Sequence, residues 1–142
     1  MKPLGLTLVC LMLWGSAPQE DMKKELAKFE GTWQPFYVEA DGKVVKADIK
    51  DHRLVVAGKA FVFTGDGGKQ EGTIAIDPGK KPPTIDTEFT SGDHKGTKMV
   101  GIYEFSKDRL MVCYTAAPGE RPTEFKTREK SGLFIVMYKR IK

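Results

Sequence analysis

Gly31-Thr32-Trp33 stands where a short amphipathic helix gives way to a long run of strand-like segments. Upstream, Met22, Leu26 and Phe29 recur at spacings of four and three, which puts one apolar stripe on a helix over residues 19–30. Downstream the period changes to two. Gly31 supplies the backbone freedom to turn from helix into strand, and Trp33 is a large apolar side chain that a soluble protein normally buries.

After Trp33 eight strands are predicted, over 33–40, 53–57, 60–64, 72–77, 83–90, 98–105, 109–115 and 133–140. All are rich in β-branched and aromatic residues and bounded by Gly, Pro, Asp or Lys. The connections alternate in length. Segments 41–52, 65–71, 91–97 and 116–131 are long, whereas 58–59, 78–82 and 106–108 are the tight turns of hairpins. Alternate connections of a meander lie at one end. The four long loops therefore frame an open mouth, and the short turns, the helix and the last residues gather at a closed base. The expected fold is all-β, an eight-stranded antiparallel up-and-down β-barrel with one short N-terminal helix, its interior packed or holding one small ligand.

The 142 residues suit one barrel domain over 18–142, preceded by a segment 1–17 that reads as a signal peptide. Its apolar run 4–14 is too short to span a bilayer, and Gly15-Ser16-Ala17 offers a small-x-small cleavage site followed by Pro18. The expectation is export to the periplasm or beyond, with membrane anchorage where the segment stays uncleaved. Its loss removes Lys2 and takes the net charge from +4 to +3, with both signs interleaved as on a solvated surface, which argues against nucleic-acid binding. Cys10 leaves with the segment, so Cys113 has no partner for an intramolecular disulfide.

Gly31-Thr32-Trp33 after a helical turn resembles the opening of lipocalin (calycin) barrels. More closely, the chain resembles the small exported lipocalin-like domain family described from Planctomycetes, a family without an assigned biochemical function. That likeness rests on residues 26–33, Gly101-Ile102-Tyr103-Glu104, Leu110-Met111-Val112-Cys113, Arg121-Pro122-Thr123-Glu124-Phe125 and Tyr138-Lys139-Arg140. The Thr-Asp-Tyr motif of lipocalins at large is missing, and Gly101-Ile102-Tyr103 stands in its region. The resemblance implies that Arg140 packs across the Trp33 ring at the base, a cation-π contact of about 0.5–2 kcal/mol. Gly31, Trp33 and Arg140 are then structural.

Chemistry is sparse. His52 and His94 fall in mouth loops without a metal-ligand neighbour at useful spacing, and Cys113 lies mid-strand, where a small apolar residue is buried. Asp86 and Glu88 alternate on a solvent face, opposite Ile85, Thr87 and Phe89. No catalytic set, metal site or cofactor is expected, and the protein reads as a non-enzymatic monomer. The expected function is a binding module for a small hydrophobic ligand, contacted at the mouth by Tyr103, Arg121, Glu124 and Phe125. Equally, Arg121 and Glu124 pair and hold their loop against the barrel. The alternative function is a cell-envelope module that binds or inhibits a protein partner through the open-end loops.

Overall fold

The computed structural model describes residues 19–141; the segment read as a signal peptide lies outside them. Helix α1 (Gln19–Phe29) leads into β1 (Gly31–Ala40), β2 (Lys43–Val44), β3 (Arg53–Ala57), β4 (Ala60–Gly65) and β5 (Gly68–Asp77). The chain continues through β6 (Thr84–Phe89), β7 (Lys98–Ser106), β8 (Arg109–Ala116) and β9 (Phe134–Ile141). Each strand from β3 to β9 pairs antiparallel with the next, and β1 pairs with both β3 and β9. The result is a closed eight-stranded antiparallel β-barrel with one short helix, and β2 is a two-residue addition at the rim, paired with the end of β1.

Beyond shifts of a residue or two at strand ends and the added β2, two features differ from the sequence reading. Residues 65–71 are no long loop: Gly65 pairs with Gly68 around the two-residue turn Asp66-Gly67, and Lys69, Gln70 and Glu71 continue β5 against Thr64, Phe63 and Val62. These polar residues carry the hairpin to the rim, where water reaches the strand and the apolar alternation fades. Three long connections, not four, leave the strands at the mouth end. The second difference lies in β1, where a register shift between Pro35 and Tyr37 leaves Phe36 as an extra residue. Pro35 has no N–H for the ladder, which confines it to such irregularities. Phe36 turns outward and lies under the Arg109 guanidinium, 5.0 Å from its ring centroid.

The base is closed by the Gly31 region. Trp33 is fully buried, and its indole N–H donates to the Phe29 carbonyl at 2.8 Å, tying strand to helix. Arg140, opposite Trp33 in the β1–β9 register, lies 4.2 Å over the indole. Its guanidinium also donates to the carbonyls of Lys28 (2.7 Å) and Glu30, which the end of α1 leaves without helical partners. Gly31 has φ +126°, and a Cβ there would stand 2.6 Å from Arg140 Nη1. A side chain at 31 is thus disfavoured twice, by backbone conformation and by the clamp itself. Phe29 completes the plug, edge-on to both Tyr103 (4.9 Å) and Phe105 (4.7 Å).

Candidate functional site

Above the plug the barrel is not filled. A cavity of about 390 Å³ extends to the mouth, within the 300–1,000 Å³ range of ligand pockets. The strand period places its walls: Leu110, Val112 and Tyr114 of β8 face Phe134, Val136 and Tyr138 of β9, while Phe61 and Phe63 of β4 close the far side. Ile85, Thr87 and Phe89 point inward from β6, leaving Asp86 and Glu88 exposed as the alternation requires. Gly101 leaves room for Tyr114, since a Cβ there would meet the Tyr114 Cβ at 2.6 Å.

Apart from Tyr114 and Tyr138, the polar side chains of the lining gather toward the mouth. Gln70, Thr87, Thr97, His52 and His94 stand there, and no Lys, Arg, Asp or Glu lines the cavity among the described residues. Between β1 and β3 the ladder holds for only Gly31, Thr32 and Trp33, after which the two strands part. Segment 45–52 covers the gap: Val45 N–H donates to the Val38 carbonyl (2.8 Å), and the Gln34 side chain donates to the Lys50 carbonyl (2.9 Å). This cover sets Ile49 and His52 into the lining. His52 meets Phe63 edge-on at 5.7 Å and lies 3.4 Å from the Asp66 carboxylate, and its buried Nε2 has no hydrogen-bond partner among the described residues. His94 tilts over the Phe89 ring.

The residues expected to contact a ligand at the mouth lie elsewhere. Tyr103 is buried in the base plug, where its hydroxyl donates to the Glu25 carboxylate of α1 at 3.0 Å. It faces inward, packed against Phe29 and Phe105, and is not among the residues that line the cavity. Arg121, Glu124 and Phe125 belong to a loop that folds down over the outside of the wall. The Arg121 guanidinium pairs with Asp86 (2.6 Å) and donates to the Gly101 carbonyl (2.8 Å). Glu124 faces Arg128 at 3.4 Å, so the loop is held without an Arg121–Glu124 pair. Phe125 packs on the outward side chains Ile102, Cys113 and Ile135, a second apolar cluster with the barrel wall beneath it.

Cys113 is fully buried in this outer cluster, and burial pushes its thiol up despite the Lys126 main-chain N–H that it accepts. Both histidines face the cavity, on the other side of the wall, so no Cys–His dyad is assembled. Loosening the strap exposes the thiol. Phe125→Ala is expected to speed labelling of Cys113 by a thiol reagent about 10-fold, the factor that corresponds to ~1.4 kcal/mol of easier local opening. Arg121→Ala removes a partly exposed ion pair together with a charged hydrogen bond and should do the same at a cost of about 1–2 kcal/mol. Unchanged labelling in both variants would show that the loop does not shield Cys113.

The tyrosines set the alkaline limit. Burial raises the phenols of Tyr103, Tyr114 and Tyr138 above their ordinary value of 10, with Glu25 adding to the shift at Tyr103. The native state keeps these protons where the unfolded chain releases them. Stability is therefore intact below pH 10 and falls as pH rises beyond it, by about 1.4 kcal/mol per pH unit for each such tyrosine. Phenolate absorbance is expected to rise together with loss of the near-ultraviolet circular dichroism signal; free titration near pH 10 with the fold intact would refute this. No protein-family profile, no curated protein and no solved structure matches this chain.

Proposed function

We propose that this protein is a non-enzymatic, lipocalin-like binding module that takes a small, largely apolar molecule into the barrel through the open end. The observation that carries this reading is the 390 Å³ cavity with apolar walls above a sealed base. A barrel that served only as a scaffold would gain stability by filling such a space, because an empty apolar volume forfeits dispersion contacts. The apolar run 4–14 with its small-residue boundary supports export, and on this reading the protein binds its ligand outside the cytoplasm.

A second reading, an envelope module that grips a protein partner, draws support from the β1–β2 hairpin at the mouth, where Val44 is 53% and Val45 42% exposed. Native mass spectrometry of the protein purified from its source distinguishes the two. A one-to-one adduct of a few hundred daltons at most is the expected result. A stoichiometric protein partner would favour the second reading, and repeated bare polypeptide would count against both.

A further inference from the structure

The chemistry of the cavity restricts its occupant, and this inference rests on the binding reading above. Charge comes first. With no Lys, Arg, Asp or Glu in the lining, a carboxylate or ammonium headgroup would be buried without a counter-charge, which is heavily penalised. The basic groups nearby are Arg121 and the two rim histidines, of which His52 keeps a buried Nε2 without a hydrogen-bond partner among the described residues. Arg121 is held on the outer wall by Asp86 and the Gly101 carbonyl, and His52 at the rim faces the Asp66 carboxylate at 3.4 Å.

Hydrogen-bonding capacity comes second. Of the four tyrosines, Tyr37 and Tyr103 donate to Glu39 and Glu25. Tyr114 and Tyr138 both line the cavity, and neither hydroxyl has a protein partner among the described residues. Tyr138 is only 8% exposed. The two come from neighbouring strands, Tyr114 level with Phe134 and Tyr138 level with Leu110, on either side of the Val112–Val136 pair. Burial keeps both phenols protonated, so each presents an O–H donor to the interior. Neither oxygen is sealed from the cavity, so a molecule that displaces water from either one must replace its hydrogen bond, which an oxygen acceptor on the occupant does.

We propose that the occupant is an uncharged, mostly hydrocarbon molecule whose carbonyl oxygen accepts a hydrogen bond from Tyr138 or Tyr114. Its size follows from the volume: 390 Å³ at the ~30 Å³ of one liquid water corresponds to about thirteen non-hydrogen atoms. The walls take the hydrocarbon body, and the phenol that meets it selects for the carbonyl. Fatty-acid anions of the same length bind less tightly for want of a fixed counter-charge in the lining.

The test is isothermal titration calorimetry at pH 8 with three probes: methyl nonyl ketone, undecanoate and butylbenzene. Wild type, Tyr138→Phe and Tyr114→Phe are compared, each variant losing one hydroxyl and keeping the ring. The ketone is expected to bind at least about 5-fold more tightly than undecanoate. The variant that removes the bonding hydroxyl should weaken the ketone about 3- to 10-fold, the usual worth of a hydrogen bond, and both variants should leave butylbenzene unchanged. Neither variant should lower the thermal midpoint of the free protein, because the lost hydroxyl had no protein partner. Undecanoate binding as tightly as the ketone, or ketone affinity unaltered in both variants, overturns the carbonyl proposal while butylbenzene binding keeps the apolar-ligand reading alive. Failure of all three probes to bind overturns both.

Discussion

Trp33→Ala is expected to cost about 3–5 kcal/mol, enough to unfold or loosen a domain of this size. The side chain is fully buried, and it carries three connections at once: packing with Phe105 in the plug, the indole N–H bond to the Phe29 carbonyl, and the platform for Arg140. Removing the ring frees Arg140, whose bonds to Lys28 and Glu30 hold the end of α1 on the barrel. Helix and sheet should then come apart as one event. Urea denaturation followed by circular dichroism measures the loss, and a midpoint within error of wild type would remove the basis for treating the Gly31 region as the seal of the base.

Thr87→Trp is expected to reduce affinity for methyl nonyl ketone and butylbenzene alike by at least about 100-fold, with little change in folding. Thr87 points into the cavity from β6 and is only partly buried, so the larger side chain enters free space instead of a packed core. Tryptophan exceeds threonine by about seven non-hydrogen atoms, which at ~30 Å³ each occupies roughly half of the volume above the plug. Overpacking of a filled site costs about 1–3 kcal/mol in stability, whereas filling a void avoids most of that strain. Calorimetric titration and a thermal melt on the same sample separate the two effects. Undiminished binding in a folded variant would place the ligand outside the barrel.

The closure of the barrel was legible because β-strand alternation and connection length carry it directly. Residues 53–57 match β3, the neighbouring strands differ by a few residues at their ends, and the eight segments close in sequence order. The run Lys69-Gln70-Glu71 escaped notice because a strand at the rim has water on both faces and needs no apolar period. The histidines were legible as mouth residues, since their loops could fall at only one end. Arg121, Glu124 and Phe125 lie away from the expected place for a different reason: loop length says at which end a loop starts, not whether it rises from the mouth or folds back along the wall; Tyr103 lies within β7, where alternation gives its inward face but not its depth. A signal for the fold-back was present. Leu110-Met111-Val112-Cys113 and Phe134-Ile135-Val136-Met137 are apolar at successive positions, so both faces of β8 and β9 must be covered, the inner by the cavity side and the outer by Phe125 and its loop. The unpartnered phenols of Tyr114 and Tyr138 were not legible at all, because only the folded arrangement shows which tyrosines have found carboxylates.

Nuclear magnetic resonance of methyl-labelled protein titrated with methyl nonyl ketone tests the central claim, that the inside of the barrel is the binding site. The methyls of Ile74, Ile85, Val112 and Val136 face the cavity, and those of Val44, Val45 and Val55 are exposed outside it. The predicted result is a saturable one-to-one shift of the first group with the second unmoved. Shifts confined to Val44, Val45 and Val55, or no saturable shift in either group, would contradict it.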